Sequence, residues 1–130
     1  LLSNTFMQKI GAEALKGILE RGAATVLIVD VREISEVSKA PLLPSASKQY
    51  INIPLGILQM LPKEELRLRL EETAQTAGIK LKEARIILSC RSGGRSRQAQ
   101  GILAEAGIIA ENLEGGYAAW QQVKTNETAR

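Results

Sequence analysis

Apolar residues along this chain fall into two kinds of run. Thr25-Val26-Leu27-Ile28-Val29 and the segment Arg85 to Ser89, with Ile86-Ile87-Leu88 at its centre, are continuous. Such runs read as strands buried on both faces, as in a parallel sheet covered by helices on each side. Elsewhere the apolar positions recur every three or four residues, the period of a helix with one buried face. Ala14, Leu15, Ile18 and Leu19 do so within Gly11–Arg21. Leu66, Leu70, Ala74 and Ala77 do so within Glu64–Ala77, and Ala99, Ile102, Leu103 and Ala106 within Ser96–Ala106. Gly22, Gly78 and Gly107 follow these three segments and stop them.

The intervals are shorter. Phe6–Ile10 is expected as a first strand and Tyr50–Ile53 as another, ended by Pro54. Residues 38–49, with Pro41, Pro44 and several serines, read as loop. Leu55–Leu61 is assigned to the core, with a partner surface as the alternative. Ile108-Ile109 begins a last strand, and Asn112–Gly116 forms a turn in which Gly115 and Gly116 serve chain reversal. Tyr117–Gln122 starts a closing helix with Trp120 as its packing anchor. Strands alternating with helices predict one α/β domain, with a central, mainly parallel sheet and helices on both faces. Its core spans about residues 6–122, with 123–130 as a flexible tail. Ligands in such folds bind at the carboxyl ends of strands, where Asp30 and Cys90 fall.

Composition narrows the chemistry. The chain has 130 residues, one domain's worth. Aromatics are 3% of it, so the core is aliphatic. A net charge of +3 favours anionic ligands only mildly. Basic residues alternate with acids, as in Arg67-Leu68-Arg69-Leu70-Glu71-Glu72, which reads as solvated helix surface and not as a nucleic-acid face. Histidine is absent and there is one cysteine. Those two facts exclude an internal disulfide, cysteine and histidine metal sites, and Cys–His or Ser–His hydrolases. No run approaches the ~20 apolar residues of a membrane span. Leu1-Leu2-Ser3-Asn4 shows no signal-peptide pattern. A start at Leu1 is expected of a processed product or a domain cut from a longer protein, and a soluble cytoplasmic or organellar location is expected.

The one cysteine opens the segment Cys90-Arg91-Ser92-Gly93-Gly94-Arg95-Ser96, between an apolar strand and a helix. Lone cysteines are usually small buried hydrophobes. A structural cysteine has no need of two glycines and three arginines (Arg91, Arg95 and Arg97) in the next seven positions. Positive charge and a helix N-terminus both lower a thiol pKa from about 8.5. Gly93 and Gly94 let the backbone turn its N–H groups inward. The expected site is an exposed, ionised Cys90 sulfur in a cup of main-chain amides.

With these residues in view, the chain resembles the rhodanese family. Leu27-Ile28-Val29-Asp30-Val31-Arg32-Glu33 resembles its early strand ending in Asp-x-Arg. Tyr50-Ile51-Asn52-Ile53-Pro54-Leu55 resembles its Asn-Ile-Pro segment, and Cys90 to Ser96 its active-site loop. Leu113-Glu114-Gly115-Gly116-Tyr117-Ala118-Ala119-Trp120 resembles its closing Gly-Gly-x-x-x-Trp. The resemblance implies sulfur transfer. Cys90 would attack the outer sulfur of a small anionic donor such as thiosulfate and become a persulfide. Cyanide, a thiol, or a partner protein would then take that sulfur. The amides of Arg91 through Arg95 would hold the persulfide, and the Arg91 and Arg95 side chains would attract the donor. Ser92 and Ser96 would either bind the persulfide or cap the next helix, with capping the assignment for Ser96. Asp30 and Arg32 would brace the loop. No metal or organic cofactor is implied.

The resemblance also frames the alternatives. Cys90 to Arg95 is a Cys-x4-Arg spacing, one residue shorter than the Cys-x5-Arg of related phosphatases, so phosphatase chemistry is the minor reading. The family's usual Gly-His-Ile-Pro-Gly-Ala-like stretch is replaced between residues 38 and 50 by Leu42-Leu43-Pro44-Ser45-Ala46-Ser47-Lys48-Gln49-Tyr50. That altered loop motivates a second reading, a protein-binding module that takes sulfur only from a partner or not at all.

Overall fold

The computed structural model describes residues 8–22, 25–44 and 46–128, with side chains described as far as Val123. Five strands, β1 (Lys9–Ile10), β2 (Val26–Asp30), β3 (Tyr50–Asn52), β4 (Arg85–Ser89) and β5 (Ala110–Leu113), form one sheet in the order β1-β5-β4-β2-β3. Every pairing is parallel, so the expected mainly parallel sheet is wholly so. Six α-helices accompany it: α1 (Ala12–Glu20), α2 (Ile34–Lys39), α3 (Leu55–Met60), α4 (Lys63–Thr76), α5 (Gly94–Glu105) and α6 (Gly116–Thr128).

The alternation of side chains along a strand divides the core in two. On one face Val29, Ile86, Leu88 and Cys90 pack with Leu58, Leu66, Leu70, Ala99 and Leu103 from α3, α4 and α5. On the other, Val26, Ile28 and Ile87 pack with Leu15 of α1, Trp120 of α6 and Leu42 of the loop before β3. Both faces of β2 and β4 are therefore dry, which is why those segments carry unbroken apolar runs. Trp120 is the anchor expected of it: it is buried and its indole N–H donates to the Leu42 carbonyl at 3.0 Å.

The structure corrects the element assignments at several points. Of the first strand, Lys9–Ile10 is formed, while Phe6 and Met7 lie outside the described residues. α2 takes residues 38 and 39 from the expected loop. It has no buried residue and so no apolar period, and is held by a capping box between Glu33 and Glu36. Leu55–Leu61 is mostly helix α3, and only Leu58 of it is fully core, since Met60 is 82% exposed. The last strand is Ala110–Leu113, two residues beyond Ile108-Ile109, because the ladder with β4 pairs Ile86 with Ala110 and Leu88 with Asn112. Ile108 instead fills the core edge and Ile109 faces outward. The turn shrinks accordingly to Glu114-Gly115, and α6 runs to Thr128, past Gln122.

From β2 the chain moves outward to β3, then returns to the other side of β2 for β4 and continues away to β5. The direction of winding reverses between β2 and β4. A crevice opens at the carboxyl ends of strands where that happens. Asp30 ends β2 and Cys90 follows β4.

Candidate active site

Cys90 continues the inward alternation of Ile86 and Leu88, so its side chain starts out pointing into the α3–α5 face. It is 1% exposed, not the exposed sulfur expected from the sequence. The reason is local: the chain after β4 folds back over the sulfur before α5 begins. Gly93 has φ of 110°, a left-handed value that a side chain strongly disfavours. That turn brings the Gly93 N–H to 3.0 Å from Sγ.

The amides face the sulfur because the carbonyls are drawn the other way. In a planar trans peptide, C=O of one residue and N–H of the next point in opposite directions. The Tyr117 N–H donates to the Cys90 carbonyl at 2.7 Å, and the Ala118 N–H to the Arg91 carbonyl at 3.1 Å. These donors are the otherwise unpaired N–H groups of the first turn of α6. Pulling the Arg91 carbonyl toward α6 turns the Ser92 N–H toward Sγ. Gly116 makes this approach possible. A Cβ there would lie 2.8 Å from Arg91 C and O and closer still to the Cys90 carbonyl oxygen.

Burial pushes the Cys90 thiol pKa up. Opposing it are the Ser96 hydroxyl and the backbone N–H groups of Ser96, Gly93 and Ser92, and together they hold it below the ordinary value. The sulfur is thus buried without being apolar: it sits in a ring of donors at the N-terminus of α5, where the helix dipole also favours an anion.

Ser96 does not cap α5. Gly93 occupies the N-cap position without a side-chain bond, and Ser96 lies two residues inside the helix, fully buried. Its Oγ is 3.4 Å from Sγ, 3.2 Å from the Gly93 carbonyl and 2.5 Å from Asn112 Oδ1. One hydroxyl proton serves these three acceptors, so one bond is donated at a time. Asn112 also donates from Nδ2 to the Gly93 carbonyl at 3.2 Å. It therefore holds Gly93 and Ser96, two of the residues that donate to the sulfur.

Asp30 and Arg32 form a second, fully buried constellation. Arg32 Nε and Nη2 reach the Asp30 carboxylate at 3.0 and 2.7 Å, and Nη2 also donates to the Ala40 carbonyl at 2.8 Å. Burial works against the Arg32 charge, but Asp30 outweighs it and holds the guanidinium protonated. The guanidinium lies 4.6 Å from the Tyr117 ring centroid, a cation–π contact. Tyr50 completes the cluster by donating its hydroxyl to Asp30 at 2.6 Å. Burial and then Asp30 push the Tyr50 pKa up to about 12. Among the described residues neither side chain of the Asp30–Arg32 pair hydrogen-bonds to the loop. Its link to Cys90 runs through Tyr117, whose ring it supports and whose N–H binds the Cys90 carbonyl.

The loop arginines differ. Arg91 is exposed. Arg95 is not free: Nη1 and Nη2 clasp Glu36 of α2 at 2.7 and 2.9 Å. The sequence reading left out Glu36, Asn112 and Tyr50. Glu36 had a signal, the Glu33-x-x-Glu36 spacing of a capping box. Asn112 had another, a polar residue next to Leu113 at a point where the chain needed a strand. Tyr50 had none beyond its proximity to Asn52. No group of three or more His, Cys, Asp or Glu among the described residues is placed to hold a metal ion. No helix among them is long and apolar enough to cross a membrane.

The comparisons with known proteins fit this geometry. The family model described as the rhodanese-like domain matches residues 11–123. A reduced CoADR-RHD from Bacillus anthracis is similar over 95% of this chain, at 28% identity and a TM-score of 0.62, and the match spans 18% of that longer chain. A rhodanese-like domain protein from Staphylococcus aureus is 27% identical, with 88% of this chain and 91% of that one covered and a TM-score of 0.63. The human single-domain sulfurtransferase TSTD1 shares the fold at 21% identity, with 88% and 95% covered and a TM-score of 0.62. No curated protein matches the chain by sequence.

Proposed function

Because this chain belongs to the rhodanese-like domain family, we propose that it is a sulfurtransferase that carries sulfane sulfur as a Cys90 persulfide. The observation that carries the reading is the convergence of donors on Sγ: the Gly93 N–H at 3.0 Å and the Ser96 hydroxyl at 3.4 Å, at the start of α5. Such a ring stabilises an anionic sulfur and has no evident structural purpose around a mere core cysteine.

The chemistry needs no histidine. The Cys90 thiolate attacks the outer sulfur of a donor such as thiosulfate. A bond forms between Sγ and that sulfur, and the bond from that sulfur to the rest of the donor breaks. The remainder leaves with the electron pair, as sulfite from thiosulfate or as a thiolate from a persulfide. Both are stable anions, so no general acid is required. Cyanide or a thiol then attacks the outer sulfur, and Cys90 departs as thiolate. Its lowered pKa serves both halves, since it raises the thiolate fraction for attack and makes Cys90 the better leaving group. Arg91, Ser92, Gly93, Gly94, Arg95 and Ser96 form the binding loop in this reading. Asp30 and Arg32 brace it through Tyr117.

The test is the mass of the intact protein after exposure to thiosulfate and, separately, to an alkyl persulfide. One added sulfur atom that cyanide removes as thiocyanate is expected, and none in Cys90→Ser. Failure to gain sulfur from either donor rejects the proposal.

A further inference from the structure

We propose that Glu36 sets the class of donor: by neutralising Arg95 at the rim of the loop, it favours a small alkyl persulfide over dianionic thiosulfate. The inference rests on the persulfide-relay reading above and concerns what feeds it. Two arginines border the sulfur in sequence, Arg91 and Arg95. Arg95 is forked onto Glu36 at 2.7 and 2.9 Å, with both side chains about one-third exposed at the rim. Glu33, at the N-cap of the same helix, adds a second carboxylate acting on Arg95. Arg32 is spent on Asp30. Among the described residues this leaves Arg91 as the loop arginine with no carboxylate partner.

Glu36 is charged at every working pH. The Arg95 guanidinium first, and the Glu33 N–H second, bring its carboxyl down to about 2. Its position is also fixed twice over, since Oε1 accepts from the Glu33 N–H at 2.9 Å as part of the capping box. The pair is built into the start of α2 and is not a chance contact of two flexible side chains.

The two donor classes place different demands on this rim. Thiosulfate brings two negative charges to a thiolate and releases sulfite with two, so unpaired cations must offset the repulsion. An alkyl persulfide reacts as RS–SH: the Cys90 thiolate takes the outer sulfur with its hydrogen, RS⁻ leaves, and one negative charge is present throughout. A rim whose arginine is already matched by a carboxylate suits the second reaction and hinders the first.

The experiment measures kcat/KM for thiosulfate and for the persulfide of 2-mercaptoethanol, with cyanide as acceptor. Glu36→Gln keeps a side chain able to complete the capping box and frees the Arg95 charge. It is expected to raise the thiosulfate-to-persulfide ratio about tenfold, the scale of one unscreened charge contact at the rim. The gain should shrink with added salt. Arg95→Gln, which leaves Glu36 unmatched, should move the ratio the opposite way, and it keeps the inference testable if the first variant does not fold. A wild-type protein active with both donors whose ratio moves in neither variant overturns this inference alone. A wild-type protein that takes sulfur from neither donor overturns the relay reading, and this inference with it.

Discussion

The two ends of the central sheet are built on opposite terms. At the amino ends of β4 and β5 lies a surface cleft of about 780 Å³, lined by Ile79, Leu81 and Ile109 together with Arg67, Glu71 and Lys82. Its polar groups are solvated, and the neighbouring Arg85–Glu111 pair is at the surface. The carboxyl ends are built differently. Asp30, Arg32, Ser89, Ser96 and Asn112 are all buried there, at the same end of the sheet as the buried cysteine. Burying polar groups costs free energy unless each finds a partner. Among the described residues no buried side-chain nitrogen or oxygen lacks one. Solvated polar groups thus line one end of the sheet, and buried, paired ones fill the other. The cleft at the amino ends mixes apolar side chains with solvated charged ones, while the carboxyl end concentrates its donors on a single sulfur.

The sharpest way to break that contrast is at Gly116. Its φ of 57° and the crowding of a Cβ against Cys90 and Arg91 make Gly116→Ala an overpacking of backbone on backbone. A loss of about 3 kcal/mol or more is expected in denaturant unfolding, from the left-handed conformation and the clash together. Sulfur uptake should fall with it, because the carbonyls of Cys90 and Arg91 lose their seats on α6. A variant with wild-type stability and uptake would show that this seat does not shape the loop.

A smaller effect is expected at Ser96. The Ser96→Ala variant loses the hydroxyl that helps hold the Cys90 pKa down, so the pKa rises. Transfer follows the thiolate, so the pH–rate profile should move to higher pH. At pH 7 the rate should fall about tenfold, the scale of one hydrogen bond to a charged group. The same sign applies to stability. A thiol pKa lower in the folded than in the unfolded chain adds stability as pH rises through the folded pKa toward the ordinary value, and Ser96→Ala should weaken that rise. Alkylation rate against pH reads the shift directly, and an unmoved profile would remove Ser96 from the sulfur's environment.

The smallest effect is expected at the other end. Ile109 is 60% exposed in the cleft wall. Ile109→Ser should change stability by no more than about 0.5 kcal/mol and leave transfer kinetics unaltered. A large loss of transfer there would mean that the two ends are coupled.

Part of this was legible in the chain as written. The unbroken runs of β2 and β4 and the apolar period of α1, α4 and α5 placed the main elements, because both patterns record which faces must be dry. The Cys90 loop was legible because its residue types are costly or useless elsewhere. α2 and α3 were not legible: each has six residues, too few to show a period, and α2 is held by its capping box and α3 by the packing of Leu58 into the core. β5 was misplaced because a strand starts where its neighbour's ladder lets it, and Ile108-Ile109 only looks like the start.

Local sequence determined the parallel α/β frame, the strand-to-helix site and the cysteine within it, since periodicity and residue type depend on neighbours a few positions away. Tertiary structure alone decided that α6 turns the amides onto the sulfur, that Asn112 grips Ser96, and that Arg95 is matched by Glu36. Those contacts join residues 16 to 59 positions apart, and no local pattern records a partner that only folding brings near.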